Sequence, residues 1–66
     1  MLKSDMDKLT PRELQILALL AKGSLYKEIA AQLGISPSTV RAHLHTVYGK
    51  LGVKSRTQAV VRYLQR

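Results

Sequence analysis

The stretch ISPSTVRAHLHTVYGK, residues 35–50, organises the chain. Read as a helix, it places Val40, Leu44 and Val47, with Leu51 just beyond, at steps of four, three and four. Those steps make a single apolar stripe. The opposite side carries Ser38, Ala42, His45 and Gly49, all small or polar. Arg41 and Tyr48 flank that side on one edge; Thr39, His43, Thr46 and Lys50 flank it on the other. The stretch contains no Asp or Glu. Such a helix suits presentation to something negatively charged, and the remaining chain reads as its mount.

Working outward, Ser36 is the expected N-cap and Pro37 the first helical residue, with Gly52 as the stop. Upstream, Tyr26 to Leu33 forms a helix with Ile29, Ala30 and Leu33 inward. Gly34 suits its left-handed end, and Ser24 is the expected cap. Earlier still, Thr10-Pro11-Arg12-Glu13 has the pattern of a capping box, with Pro at the first helical position. Leu9 and Leu14 flank it as a staple. The helix it starts is expected to run from Pro11 to about Lys22, ending at Gly23. Leu14, Leu17, Ala18 and Ala21 share one face, widened by Ile16 and Leu20, with Leu19 partly exposed. Downstream, Ser55 and Gln58 suggest another capping box. The helix after it carries Ala59, Val60 and Tyr63 inward, and a second stripe of Thr57, Val61 and Leu64. It is expected to run to Arg66. Residues 1–8 read as a linker or disordered lead-in, and residues 9–66 as one domain. Every apolar run follows helical spacing, so the expected fold is all-α, with four helices.

At 66 residues the chain has room for one small domain with a limited core. It has no cysteine, which excludes disulfides and thiolate metal sites. It carries no membrane-length apolar run and no signal-peptide pattern in its first residues, so a soluble, cytoplasmic protein is expected. Eleven Lys and Arg oppose four Asp and Glu, a formal charge of +7. The acids are Asp5, Asp7, Glu13 and Glu28, and none follows Ala30. This asymmetry points to an acidic partner, nucleic acid before anionic membrane. His43 and His45 lie two apart, on nearly opposite sides of a helix, so they do not form a chelating pair and no metal is expected. Glu13 is accounted for as a capping residue. No second carboxylate, nucleophile or Gly-rich loop accompanies it, so no enzymatic activity and no cofactor are expected. Tyr48 and Tyr63 read as core-edge residues.

The helix at Tyr26–Leu33, the corner at Gly34-Ile35-Ser36 and the following helix have the spacing of a helix-turn-helix. Ala30 is small enough for close helix approach. Gly34 reverses the chain, Ile35 fills the corner and Val40 plugs the second helix into the core. In such pairs the first helix crosses the phosphate backbone and the second lies in the major groove.

From Leu9 to about Tyr63 the chain resembles the DNA-binding domain of LuxR-type transcription regulators, the type also found at the C-terminus of NarL/FixJ-type response regulators. The resemblance rests on Leu9-Thr10-Pro11-Arg12-Glu13, Lys27-Glu28-Ile29-Ala30, Ser38-Thr39-Val40-Arg41-x-His43, Lys50-Leu51-Gly52-Val53 and Ser55-Arg56-Thr57-x-Ala59. It implies a transcription regulator binding double-stranded DNA, with Arg41, Ala42 and His45 toward base edges. Arg41 can reach guanine bidentately, and Ala42 can offer a methyl contact to thymine. Lys27, Ser38, Thr39, His43, Thr46 and Lys50 are the expected phosphate contacts. Tyr26 and Val40 complete the interface set, although Val40 is also the core plug. The resemblance further implies a homodimer on DNA, RNA polymerase as a partner and an N-terminal regulatory domain outside this chain. The dimer contact is expected at Thr57, Val61 and Leu64. An ion pair between Glu13 and Arg56 is implied as well. The chain departs from the family pattern at Leu25, where a capping Ser or Thr is usual, at Tyr26, where Asn is common, and at Gly49. The competing reading is a basic helical module that binds an acidic protein or membrane surface by charge alone.

Overall fold

The computed structural model describes residues 5–66. A short 3-10 turn at Asp5–Lys8 precedes four helices: α1 (Pro11–Ala21), α2 (Tyr26–Leu33), α3 (Pro37–Leu51) and α4 (Arg56–Leu64). No strand occurs among the described residues. Each helix start has a local cause. Thr10 caps α1 with a full capping box: its hydroxyl accepts from the Glu13 N–H, and Glu13 Oε1 accepts from the Thr10 N–H at 2.9 Å. Ser36 caps α3 by accepting from the Thr39 N–H at 3.1 Å. The α2–α3 corner needs Gly34 at φ 69°, left-handed and natural to glycine. The Ile35 N–H then closes back on the Ala30 carbonyl at 3.0 Å, satisfying one of α2's last acceptors.

The core is one cluster. Ile16, Leu17 and Leu20 come from α1, Ile29 and Ala30 from α2, Val40, Leu44, Val47 and Leu51 from α3, and Ala59 from α4. The apolar stripe of α3 is therefore its buried face along its whole length. α3 packs on α1, α2 and α4, which fixes its rotation about its own axis.

Four local expectations change. The buried face of α1 is centred on Glu13, Ile16, Leu17 and Leu20, while Leu14, Ala18 and Ala21 are half-buried. α1 packs against both α3 and α4, so its inner arc turns toward the boundary between two neighbours. Ser24 does not cap α2: the N-cap is Leu25, whose side chain has no acceptor, leaving only Glu28 Oε1 accepting from the Leu25 N–H at 2.7 Å. Ser55 caps α4, but Gln58 reaches one residue further back, to the Lys54 N–H at 2.8 Å. α4 ends at Leu64, short of the terminus.

The lead-in is also more than a linker where it is described. Met6 is buried in the core cluster, and the Asp5 carboxylate pairs with Arg62 of α4. Arg62 also donates to the Leu51 carbonyl, so one guanidinium ties the turn, the end of α3 and α4 together. Residues 1–4 of the expected lead-in lie outside the described residues.

Candidate nucleic-acid interface

With its stripe buried, α3 turns Ser38, Thr39, Arg41, Ala42, His45 and Thr46 outward, all exposed; His43 is half-buried at the edge. From α2, Lys27 is exposed and Tyr26 is half-buried beside this strip. Ser36 Oγ lies 2.8 Å from Thr39 Oγ1 and 3.0 Å from Ser38 Oγ, so the three hydroxyls form a linked cluster at the start of α3. The first-turn N–H groups there point outward with the positive end of the helix dipole, a favourable place for an anionic oxygen. Thr46 donates its hydroxyl back to the Ala42 carbonyl at 3.3 Å.

Two members of the expected interface set move elsewhere. Val40 has no exposed surface and belongs to the core; its position on the apolar stripe already dictates this. The Lys50 ammonium donates to Glu13 Oε1 at 2.7 Å and is paired within the domain, although the side chain is half-buried. The last turn of α3 lies against the first turn of α1, and the buried Glu13 carboxylate draws in the nearest cation. Lys50's ammonium and the Thr10 N–H hold the Glu13 carboxyl below its usual range, outweighing the opposing effect of burial. The implied Glu13–Arg56 pair is replaced by this one. Arg56 is exposed at the head of α4, and its charge acts on the Tyr48 hydroxyl.

Sequence reasoning also missed a contact. The Arg41 guanidinium sits over the Tyr26 ring, 5.9 Å from its centroid. Tyr26 stood out in the sequence as an interface residue where Asn is common, and nothing local ties residues fifteen apart; the pairing exists only once α2 and α3 cross. Below Tyr26, the Tyr48 hydroxyl is buried and pushed up to about 12, first by burial and then by neighbouring Tyr26, against the opposing field of Arg56. Tyr48 and Tyr63 both pack against the core edge, as expected.

A buried three-helix mount, a glycine corner and an outward, acid-free second helix define a helix-turn-helix domain. The family model for "Bacterial regulatory proteins, luxR family" matches residues 7–63, and this chain belongs to that family. The helix-turn-helix of that family is a DNA-binding domain. The chain is 49% identical over 57 residues to the spore germination protein GerE of Bacillus subtilis (strain 168), covering 86% of this chain and 77% of GerE. It is 46% identical over 56 residues to the probable HTH-type transcriptional regulator GfsR of Streptomyces halstedii, covering 85% of this chain and 23% of that protein. It is 45% identical over 58 residues to the nitrate/nitrite response regulator protein NarP of Escherichia coli (strain K12), covering 88% and 27% respectively. The chain thus spans roughly a quarter of the length of the two longer relatives.

Proposed function

We propose that this chain binds double-stranded DNA sequence-specifically as the effector domain of a transcription regulator, with α3 in the major groove. The observation carrying this reading is the outer strip of α3: Arg41, Ala42 and His45 stand exposed on a helix whose opposite stripe is wholly buried. Arg41 and Ala42 supply the fork and methyl contacts that distinguish base pairs, and His45 adds a ring donor or acceptor one turn on. Lys27, Ser38, Thr39, His43 and Thr46 position the helix on phosphates. Lys50 is left out of this set because Glu13 holds its ammonium. The active species is a cytoplasmic homodimer on two half-sites, joined through Thr57, Val61 and Leu64 of α4. A regulatory domain N-terminal to this segment and RNA polymerase are its further partners.

Selection of bound sequences from random duplexes is the test, run with the wild-type domain and with an Arg41→Lys, His45→Lys double variant. The double variant keeps a cation at position 41, adds one at position 45 and loses the guanidinium fork. The expected result is a changed consensus at the base pairs under Arg41 and His45. An unchanged consensus rejects the reading in favour of binding by charge alone, and a wild-type domain that retards no duplex even at low salt rejects DNA binding altogether.

A further inference from the structure

Several cations of this molecule have partners within it. Lys50 and Arg62 are held by carboxylates, and Arg66 lies over Tyr63, 4.0 Å from the ring centroid. Arg41 makes no hydrogen bond or ion pair among the described residues, and α3 offers it no acid. An exposed arginine in that setting would ordinarily sample many rotamers. Here the Tyr26 ring lies beneath it. That ring is not itself free: it is half-buried and packed against the core.

We propose that Tyr26 is a positioning residue: its ring is a shelf on α2 that holds the Arg41 guanidinium ready to read a guanine. The inference rests on α3 being the recognition helix. Its chemistry is consistent with that task. A guanidinium held over a ring keeps N–H groups directed away from the ring, and bidentate guanine recognition needs such a free edge. Holding the side chain before DNA arrives removes part of the ordering cost at binding. It also assigns the tyrosine ring a part in sequence discrimination that an asparagine at this position could not perform through a ring.

The test uses the whole chain and the duplex obtained by sequence selection. Tyr26→Leu removes the ring; Tyr26→Phe keeps it and removes only the hydroxyl. Tyr26→Leu is expected to weaken binding about two- to fivefold, the range of an exposed cation–ring contact. Discrimination against a duplex carrying 7-deazaguanine at the base under Arg41 should fall by the same factor. Tyr26→Phe should match wild type in both assays, and Tyr26→Leu should have no further effect in an Arg41→Ala background. A loss that persists in that background, or that Tyr26→Phe reproduces, overturns the proposal in favour of a packing role or a direct hydroxyl contact. A second measurement needs neither DNA nor a variant that folds. The Arg41 side-chain Nε–H should be as ordered by NMR relaxation as the backbone of α3, with ring-shifted Hδ signals. A freely mobile Arg41 in the unbound wild type overturns the shelf. Failure of the underlying reading is separately visible: Arg41→Ala would then bind the selected duplex as tightly as wild type, whatever Tyr26 does.

Discussion

Glu13 combines two roles that its position in a capping box does not reveal. Its carboxylate completes the box to Thr10 and takes a 2.7 Å hydrogen bond from Lys50, thirty-seven residues away. The Glu13 side chain is 7% exposed, so removing one partner leaves a buried carboxylate short of a donor. Lys50→Met is expected to cost about 1–3 kcal/mol, read as a lower midpoint in urea unfolding. The folded carboxyl titrates below its ordinary 4.5. Its contribution is therefore fully present above about pH 4.5 and is lost as pH falls through the lower folded value. Glu13→Gln should flatten that acid limb in a stability–pH profile while keeping an acceptor for the Thr10 N–H. Leu25 poses the opposite case. It is 50% exposed at a cap position where its side chain offers no acceptor, although Glu28 already supplies the reciprocal bond. Leu25→Ser should complete the box and stabilise the domain by about 1 kcal/mol, measured by thermal unfolding.

At the scale of elements, α3 carries a residue its own helix does not need. Gly49 is exposed, and a Cβ built there meets nothing within 4 Å. No packing within the domain requires glycine, and its φ is not in the left-handed region. Gly49→Ala is expected to raise stability by roughly 0.5–1 kcal/mol, as a higher thermal midpoint. Its effect on DNA affinity then separates two causes. Unchanged affinity makes Gly49 a residue of no consequence at the interface; weakened affinity marks a close approach by DNA backbone. Gly52, three residues on, is different: its φ of 68° ends α3, and the Val53 N–H closes on the Tyr48 carbonyl at 3.0 Å. The elements themselves were readable because their signals are local. Thr10, Ser36 and Ser55 all cap the helices that they precede in sequence, and the stripe of α3 is buried throughout. α1 was misread in detail, since an arc touching two helices is wider than any one stripe and its centre depends on where both neighbours lie.

On the scale of the whole molecule, the exposed strip of α3 and the exposed apolar pair of α4 lie on different helices. The α2–α3 side presents Lys27 and Arg41 with no exposed acid on α3, while α4 presents Val61 and Leu64, 44% and 65% exposed. A stripe of this size buries too little area for a strong free dimer, so the proposed pairing is expected mainly on DNA. Val61→Asp should abolish cooperative binding to a duplex with two half-sites and leave affinity for a single half-site unchanged, as measured by fluorescence anisotropy. The 3-10 turn at Asp5–Lys8 joins this arrangement through Met6 and the Asp5–Arg62 pair, so the chain entering the domain is fastened to α4.

Helix starts, glycine corners, the buried stripe of α3 and the outward place of Arg41, Ala42 and His45 all followed from residues within a few positions of one another. Capping and amphipathic spacing act over one or two turns, so they are written in consecutive residues. The motifs that carry the family resemblance are local for the same reason. The partners of long side chains were not legible. Lys50 turned to Glu13 instead of solvent, Arg62 to Asp5, and Arg41 to the ring of Tyr26. Each choice depends on which helices cross and how far a flexible cation can reach toward a carboxylate or ring brought near by that crossing. α3 was recognisable as an outward helix from its own fifteen residues; which of its cations are free to meet a partner, and which are already held, emerged only when α1 and α2 had packed against it.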